Sequence, residues 1–210
     1  MGNTHTHLHR LRKQRAQRGF SLIELVVVVI IIAILAVIAI PAISKRMKDR
    51  RTSELAQRVS HIYRDARMRA MGRGGAVMVS YTTGAGAGQF TVREGVVGTS
   101  GTCAELPSNG CNRNWAVADS RVMNTLSVDS SGEYQNMKVT MTDPAASGVS
   151  TMDICYTPLG RTFVRYAAGS AFVPLTGVPF ANVSRYDGST PVGLARNVVI
   201  LPNGTSRLGL

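Results

Sequence analysis

The chain has 210 residues, enough for one globular domain and an additional anchor, and its hydrophobic fraction of 44% allows a folded core. Lys and Arg number 24 against 12 Asp and Glu, but five of the basic residues lie in the first 19 positions, where there is no acid. The remaining 19 basic and 12 acidic residues give a net charge of +7. A surplus of this size suits a solvated surface as well as anionic lipid or nucleic acid, so charge alone does not decide the function.

An abrupt boundary separates a basic leader from an apolar segment. The first 19 residues are polar, basic and rich in His, whereas residues 20–40 are apolar except for Ser21 and Glu24. Within this segment, residues 25–40 form an unbroken run of 16 apolar side chains. With its flanks, the run is long enough to cross a hydrocarbon core of roughly 30 Å as a helix. The positive-inside bias then predicts a cytoplasmic leader.

Two simpler interpretations of the apolar segment are a secretory signal peptide and a plain one-span anchor. A signal peptide typically has about 7–15 apolar residues and ends at a small-residue cleavage site. The run in this chain is longer, and an acid lies near its start. A plain anchor explains the length but not the position of Glu24.

Glu24 needs a partner, because an ionised carboxylate near a membrane core costs on the order of a few kcal/mol. No cationic side chain lies within residues 20–40. If the chain is cut after Gly19, however, Phe20 acquires a free α-amino group, which is cationic near neutral pH. We therefore hypothesise that this amine and Glu24 on neighbouring subunits pair and set the register of one helix against the next.

These residues carry a specific resemblance. The motif Gly19-Phe20-Ser21-Leu22-Ile23-Glu24-Leu25, followed by an aliphatic run to Pro41, resembles the class III signal of type IV prepilins and type II secretion pseudopilins. The resemblance implies that a prepilin peptidase cleaves after Gly19 and methylates the amine of Phe20. It also implies a single-pass inner-membrane protein with a periplasmic head, which assembles with other pilins or pseudopilins into a helical filament through Glu24 and Pro41.

The helix is expected to resume after Pro41, although proline removes a backbone donor and clashes with the carbonyl of Val37, which predicts a kink or local opening. Further apolar residues recur mostly at three- or four-residue steps and predict a stripe that packs on a head: Ile43, Met47, Leu55, Val59, Ile62 and Ala66. Glycines at 72, 74 and 75 end the helix. The predicted domains are a cleaved leader (1–19), a helix (20–72, transmembrane over 20–40 and amphipathic over 41–72) and a β-rich head (73–210).

The head is predicted from short β-branched and aromatic segments separated by turn residues. Asn203-Gly204 predicts a hairpin turn into the last residues. Together with the helix, this pattern predicts an α+β, type IV pilin-like fold in which a long N-terminal helix packs on an antiparallel sheet. The expected strands lie near 76–82, 89–94, 134–142, 151–157, 162–167, 181–186 and 194–201.

The head also resembles one branch of the family, the GspH-type pseudopilins and FimT/FimU-type minor pilins. The resemblance covers the helix end and first strand, from Ala66 to Val79, and two strand-turn segments at 156–161 and 198–204, and it leaves 95–129 uncovered. It implies a minor, tip or priming component of the filament.

Three cysteines lie in a head expected outside the cytoplasm, where disulfides persist. Cys103 and Cys111 bracket a short loop with few apolar residues, so we expect them to form a disulfide rather than to stay free thiols. Cys155 lies in an apolar strand pattern and is expected to be a buried small hydrophobe. The spacing lacks paired Cys-x-x-Cys motifs and argues against a zinc site.

Catalysis and cofactors are not expected. His61 is the one histidine outside the leader, and it lies on a helical segment crowded with arginines rather than beside a nucleophile.

The main hypothesis is therefore a structural subunit. The alternative is a DNA-binding minor pilin involved in DNA uptake, whose head contacts phosphates through five arginines. Those residues are Arg161, Arg165, Arg185, Arg196 and Arg207.

Overall fold

The structure is a computed structural model that describes residues 20–84, 87–97, 106–129, 132–144, 146 and 149–209. The described residues divide into two units between Lys45 and Arg46. One helix, α1, runs over Leu22–Arg73 and is followed by eleven described strands. This is the predicted α+β, type IV pilin-like arrangement.

Helix α1 ends where the glycines predict. The amide of Gly74 donates to the carbonyl of Ala70 at 3.1 Å, and Gly74 has a φ of 70°. Glycine adopts this left-handed conformation without the steric cost of a Cβ atom, so it closes the helix and redirects the chain into the first strand.

The described residues of the head form two antiparallel sheets. The first has seven strands in the order β3-β2-β1-β6-β7-β8, with β4 also paired to β2. Its strands are β1 (Val77–Thr82), β2 (Gln89–Val97), β3 (Leu106–Pro107), β4 (Ser120–Ser127), β6 (Thr151–Tyr156), β7 (Thr162–Arg165) and β8 (Val173–Pro174). The second has the order β11-β10-β9-β5 and comprises β5 (Met137–Thr142), β9 (Phe180–Asp187), β10 (Thr190–Ile200) and β11 (Ser206–Gly209).

The main core lies between α1 and the inner faces of both sheets. Of the predicted helical stripe, Leu55, Val59, Ile62 and Ala66 are buried, whereas Ile43 and Met47 are exposed. The helix also buries Tyr63, whose ring meets that of Phe90 edge-on with the centroids 6.3 Å apart. The strand residues of this core include Val77, Val79, Ile154, Val183 and Ile200.

A second, smaller core covers the outer face of the seven-stranded sheet. Met78 on β1, Cys155 on β6 and Phe163 on β7 lie side by side in register. Because side chains alternate across a strand, these residues point away from α1. They are covered by residues from the flanking connections, namely Cys111, Trp115 and Phe172.

The structure corrects the predicted disulfide. Cys111 is bonded to Cys155, with their Cα atoms 6.0 Å apart, and therefore not to Cys103, which lies outside the described residues. The strand around Cys155 was predicted correctly, and Cys155 is fully buried. The expectation that Cys155 takes no part in the disulfide was wrong, because the segment containing Cys111 crosses the outer face of the sheet and brings the two sulfur atoms together.

Candidate functional site

The N-terminal segment of the described chain begins with an ordered first helical turn. Phe20 precedes the helix and is 82% exposed. The carbonyl of Ser21 accepts hydrogen bonds from the amides of Glu24, at 3.1 Å, and Leu25, at 3.2 Å. Glu24 thus lies in the first turn of α1, where the positive end of the helix dipole favours a carboxylate.

The helix continues as an apolar span over Leu22–Ile40, with 19 residues and a mean hydropathy of 3.4. At 1.5 Å per residue it is about 28 Å long, close to the hydrocarbon thickness of a bilayer. Its side chains are not covered by protein in this unit. Glu24 is the one charged residue in the span, and no ion pair to Glu24 is formed by the residues that the structure describes.

The structure describes Pro41 of the predicted assembly site but not Gly19 of the predicted cleavage site. The helical assignment of α1 continues through Pro41, so the helix resumes as expected. Gly19, on the leader side of the predicted cleavage site, lies outside the described residues.

Residues 14–40 match the family model described as the prokaryotic N-terminal methylation motif. The chain therefore carries the type IV prepilin-like signal that the Gly19–Leu25 motif predicts. No curated protein and no solved structure matched the chain.

The matched motif indicates a broad class for the protein. Together with the apolar helix and the antiparallel head, it supports a type IV pilin-like or pseudopilin-like protein that is processed by prepilin peptidase. It favours a membrane-anchored structural subunit over an enzyme. Among the residues that the structure describes, no group of three or more His, Cys, Asp or Glu is placed to hold a metal ion.

The predicted DNA-binding arginines do not share one surface. Arg165 lies on the outer face of the seven-stranded sheet, where its Nε atom donates to Oδ2 of Asp153 at 2.6 Å. Both side chains are nearly buried, at 10% and 8% exposure, so this guanidinium is committed to a structural pair. Arg161 is exposed near the tip of the β6–β7 hairpin.

The other three arginines lie on the second sheet. Arg185 follows Val183 on β9 by two positions, and Arg196 precedes Val198 on β10 by two positions. Because alternate residues share a face, both half-buried arginines lie on the side of the sheet that faces the core. Arg207 is exposed on β11 and lines a pocket of about 310 Å³ with Arg64 and Arg67, which the sequence hypothesis did not include.

An ion-pair cluster at the end of α1 was also missed from the sequence. The buried carboxylate of Glu94 on β2 pairs with Arg73 at 2.8 Å, with Arg69 at 3.3 Å and with Arg121 at 3.4 Å. Arg69 and Arg73 stand four residues apart on the helix and so lie on one face. That spacing was the available signal, but nothing in the sequence identified Glu94 as their partner.

Proposed function

We propose that the chain is a minor pilin or pseudopilin subunit of a type IV pilus or type II secretion pseudopilus. Its precursor is cut between Gly19 and Phe20, methylated at Phe20, and assembled through the N-terminal helix into the tip or priming complex of the filament. The observation that carries the proposal is the position of Glu24, in the first turn of an otherwise apolar span and five residues after Gly19.

Assembly follows from the energetics of this span. The apolar side chains of Leu22–Ile40 are exposed in the isolated chain and require either lipid or the helices of other subunits. Removal of the leader leaves an amine at Phe20, and pairing this amine with Glu24 of the adjacent subunit satisfies both charges in an apolar setting. The charge pair therefore selects one register among many that apolar contacts alone permit.

The proposed topology places the basic leader in the cytoplasm and the head in the periplasm. The disulfide between Cys111 and Cys155 supports a periplasmic location of the head, since disulfides persist in the bacterial periplasm and are rare in the cytosol.

The processing step is tested by replacing Gly19 with Val, which should leave uncut precursor because a side chain there obstructs the peptidase site. The mature wild-type protein should begin at methylated Phe20 by N-terminal mass spectrometry. The matched control is Gly72→Val, since a Cβ atom at Gly72 meets no heavy atom within 4 Å. Processing of Gly19→Val at the wild-type rate, or a mature chain that begins elsewhere, contradicts the proposal.

The minor role is tested separately by quantitative mass spectrometry of sheared filaments. We expect trace amounts of this chain relative to the main shaft subunit. A dominant share would leave the filament assignment intact but contradict the minor role.

A second candidate function is DNA binding by the head. The observation that favours it is the pocket at Arg64, Arg67 and Arg207, whose lining residues include no acid. Arg64 is anchored there by two hydrogen bonds of 3.2 Å from its Nε and Nη2 atoms to the carbonyl of Ser206. Three guanidinium groups in one pocket suit contact with a phosphate backbone.

This candidate is tested by DNA binding of the full chain in a nonionic detergent at several salt concentrations. Arg207→Gln should weaken binding and reduce the salt slope by about 1, whereas Arg196→Gln, on the core-facing side of the sheet, should change neither. Equal behaviour of the two variants, or no salt-dependent binding, excludes this surface.

A further inference from the structure

A cavity of about 680 Å³ lies on the outer face of the seven-stranded sheet, away from α1. Two connections form its walls, residues 112–115 before β4 and residues 168–172 before β8. Its volume falls within the range of about 300–1,000 Å³ that is typical of small-molecule sites. The filament role proposed above makes no use of this cavity.

The walls are held by covalent and hydrogen bonds. The disulfide between Cys111 and Cys155 fixes the first connection to β6, and the indole Nε1 of Trp115 donates to the carbonyl of Cys111 at 3.0 Å. Oδ1 of Asn112 accepts a hydrogen bond of 2.8 Å from the amide of Phe172, so Asn112 joins the two connections. The cavity is therefore formed before any ligand arrives, which lowers the entropic cost of binding.

Two arginines give the cavity its charge. The guanidinium carbon of Arg113 lies 5.9 Å from the ring centre of Trp115, and that of Arg165 lies 4.6 Å from the ring centre of Phe172. Stacking on an aromatic ring holds a guanidinium in one orientation. The residues that line the cavity include no Asp or Glu.

The two guanidinium charges are not equally compensated. Arg165 is neutralised by the buried carboxylate of Asp153. Arg113 donates to backbone carbonyls, from Nε to Asn114 at 3.3 Å and from Nη2 to Val96, and forms no ion pair with a residue that the structure describes. Its Nη1 atom is buried beside Gly95, so it is not open to the cavity, and it donates to no described acceptor. The wall thus carries one uncompensated positive charge.

The amides of Asn112 and Asn114 add hydrogen-bond donors. Each Oδ1 atom is already used, since that of Asn114 accepts from the amide of Ala116 at 3.1 Å, and this leaves the two NH₂ groups as donors. Uncompensated positive charge and side-chain donors favour an anion over a neutral or cationic ligand.

We propose that this cavity binds a small monoanionic ligand, a carboxylate of about the size of an acidic sugar. A carboxylate carries one negative charge and so matches the single free charge of Arg113, whereas phosphate near neutral pH carries more. The volume accommodates a polar ring beyond the carboxylate. The NH₂ groups of Asn112 and Asn114 can donate to its hydroxyl groups, whereas the Ser170 hydroxyl can only accept, because it donates to the carbonyl of Ala167 at 2.8 Å.

Trp115 makes the site directly observable because it is the chain's one tryptophan. The experiment titrates the full chain, in a nonionic detergent, with sodium glucuronate and follows tryptophan fluorescence. Glucose is the uncharged control sugar of similar size, and inorganic phosphate is the control for binding of a phosphate anion. Glucuronate should give a saturable change and bind at least about tenfold more tightly than either comparison, as a charge-assisted hydrogen bond predicts.

Two variants test the cavity itself. Arg113→Gln removes the free charge, and Asn112→Asp keeps an oxygen for the Phe172 amide but adds a negative charge to the wall. Both should weaken glucuronate binding by about tenfold or more, whereas Arg51→Gln, at an exposed position on the helix, should not. Near-ultraviolet circular dichroism checks that each variant is folded.

The proposal is overturned if wild-type fluorescence shows no saturable response to glucuronate, or if glucose or phosphate binds as tightly. It is also overturned if a folded Arg113→Gln or Asn112→Asp variant binds like Arg51→Gln. Because the wild-type titration needs no substitution, the test holds even if a variant fails to fold. Its result is independent of leader cleavage, so it is distinguishable from failure of the filament proposal.

Discussion

Nε of Arg73, in the last turn of α1, lies 2.8 Å from Oε1 of Glu94 on β2, and the Glu94 side chain is 1% exposed. Arg69 and Arg121 approach the other carboxylate oxygen. One buried acid therefore connects the helix end to two strands of the first sheet. Its charge is balanced by guanidinium groups that themselves reach solvent.

We predict that Glu94→Gln lowers the free energy of unfolding by about 2–3 kcal/mol. The glutamine has a similar volume, but it leaves three arginines without their common counter-charge, and removal of one partner from a buried pair is costly. Arg73→Gln should cost less, about 1 kcal/mol, because Arg69 and Arg121 remain with Glu94. Denaturant unfolding of the full chain in detergent, read by circular dichroism, measures both.

The matched control for this cluster is Glu54→Gln. Glu54 pairs with Arg50 at 3.0 Å, but the two side chains are 47% and 82% exposed, so loss of this pair should cost less than about 1 kcal/mol. Equal effects at Glu54 and Glu94 would mean that burial does not strengthen the cluster.

The second prediction concerns the disulfide. Cys155→Ser should destabilise the head by up to about 4 kcal/mol in the chain-entropy model, because the bond joins residues 44 positions apart. It should also release the connection that contains Asn112 and Arg113. Unfolding with and without reductant measures the loss, and peptide mapping without reduction identifies the bond.

Cys103→Ser is the control for this prediction and should leave the Cys111–Cys155 peptide intact. A mapped peptide that joins Cys103 to Cys111 in the wild-type protein would contradict the structure.

The third prediction is an alkaline loss of stability. Burial raises the pKa of Tyr156 above its ordinary value of 10.0, with a smaller opposing effect from the charge of Arg67. Above pH 10 the tyrosine ionises in the unfolded chain but stays protonated in the folded one. The unfolded state then binds fewer protons, so stability falls as the pH rises, by up to about 1.4 kcal/mol per pH unit for this residue.

Tyr156→Phe should therefore reduce the loss of stability between pH 10 and pH 11. At pH 7 the substitution should change the free energy of unfolding by less than about 1 kcal/mol, because the hydroxyl is buried and donates to no described acceptor. Unfolding curves at the three pH values test this. An identical alkaline slope in both proteins would show that Tyr156 is ionised or exposed in the folded state.

The sequence predicted the regular parts of this fold because their patterns are local. Leu55, Val59, Ile62 and Ala66 recur at helical spacing, and all four are buried in the main core. Strands β1, β6 and β9 were placed within about one residue because β-branched and apolar residues fill them and turn residues bound them. The Asn203-Gly204 turn also appears, with Gly204 at a φ of 80°.

The strand predictions failed where the local sequence pattern does not match the strand pairing in the folded chain. Strand β4 (Ser120–Ser127) was missed because it pairs along β2 yet leaves most of its side chains partly or fully exposed, so apolar residues do not alternate clearly. Strand β10 begins at Thr190, earlier than the expected residue 194. Pro191 and Gly193 suggest a turn at this place, but the strand includes them next to a register shift in its pairing with β9. Strand β5 begins only at Met137, since Asn136 adopts a φ of 63° in the preceding turn.

The candidate functional sites were predictable only in part, because some of their residues are close in sequence and others become neighbours only in the folded chain. Gly19, Phe20 and Glu24 form a contiguous motif, so the N-terminal signal was readable from the sequence. The cavity residues become neighbours only when residues 112–115 cross the outer face of the sheet. The Cys111–Cys155 pairing depends on that crossing, and no spacing of cysteines along the chain encodes it.

The last prediction concerns Glu24 and distinguishes membrane insertion from assembly. Glu24→Ala should still be inserted and cleaved, because the change lies after the cut and removes a charge that costs on the order of a few kcal/mol in hydrocarbon. Incorporation into the filament should fail, since the cut end of the neighbouring subunit then has no carboxylate to pair with. The measurement is the ratio of the mature chain in sheared filaments to that in the inner membrane.

Two variants make this result specific to the charge pair. Glu24→Asp keeps a carboxylate on a shorter side chain and should retain part of the incorporation, whereas Glu24→Gln keeps the length without the charge and should behave like Glu24→Ala. Glu54→Ala, which removes an exposed acid in the amphipathic part of α1, should incorporate normally. If Glu24→Gln incorporates as well as the wild type, either the carboxylate has another role or this chain is the first subunit assembled and has no predecessor to pair with. If Glu24→Ala instead fails to reach the membrane, Glu24 acts in insertion, before assembly. The expectation that the variant is inserted and cleaved normally is then wrong.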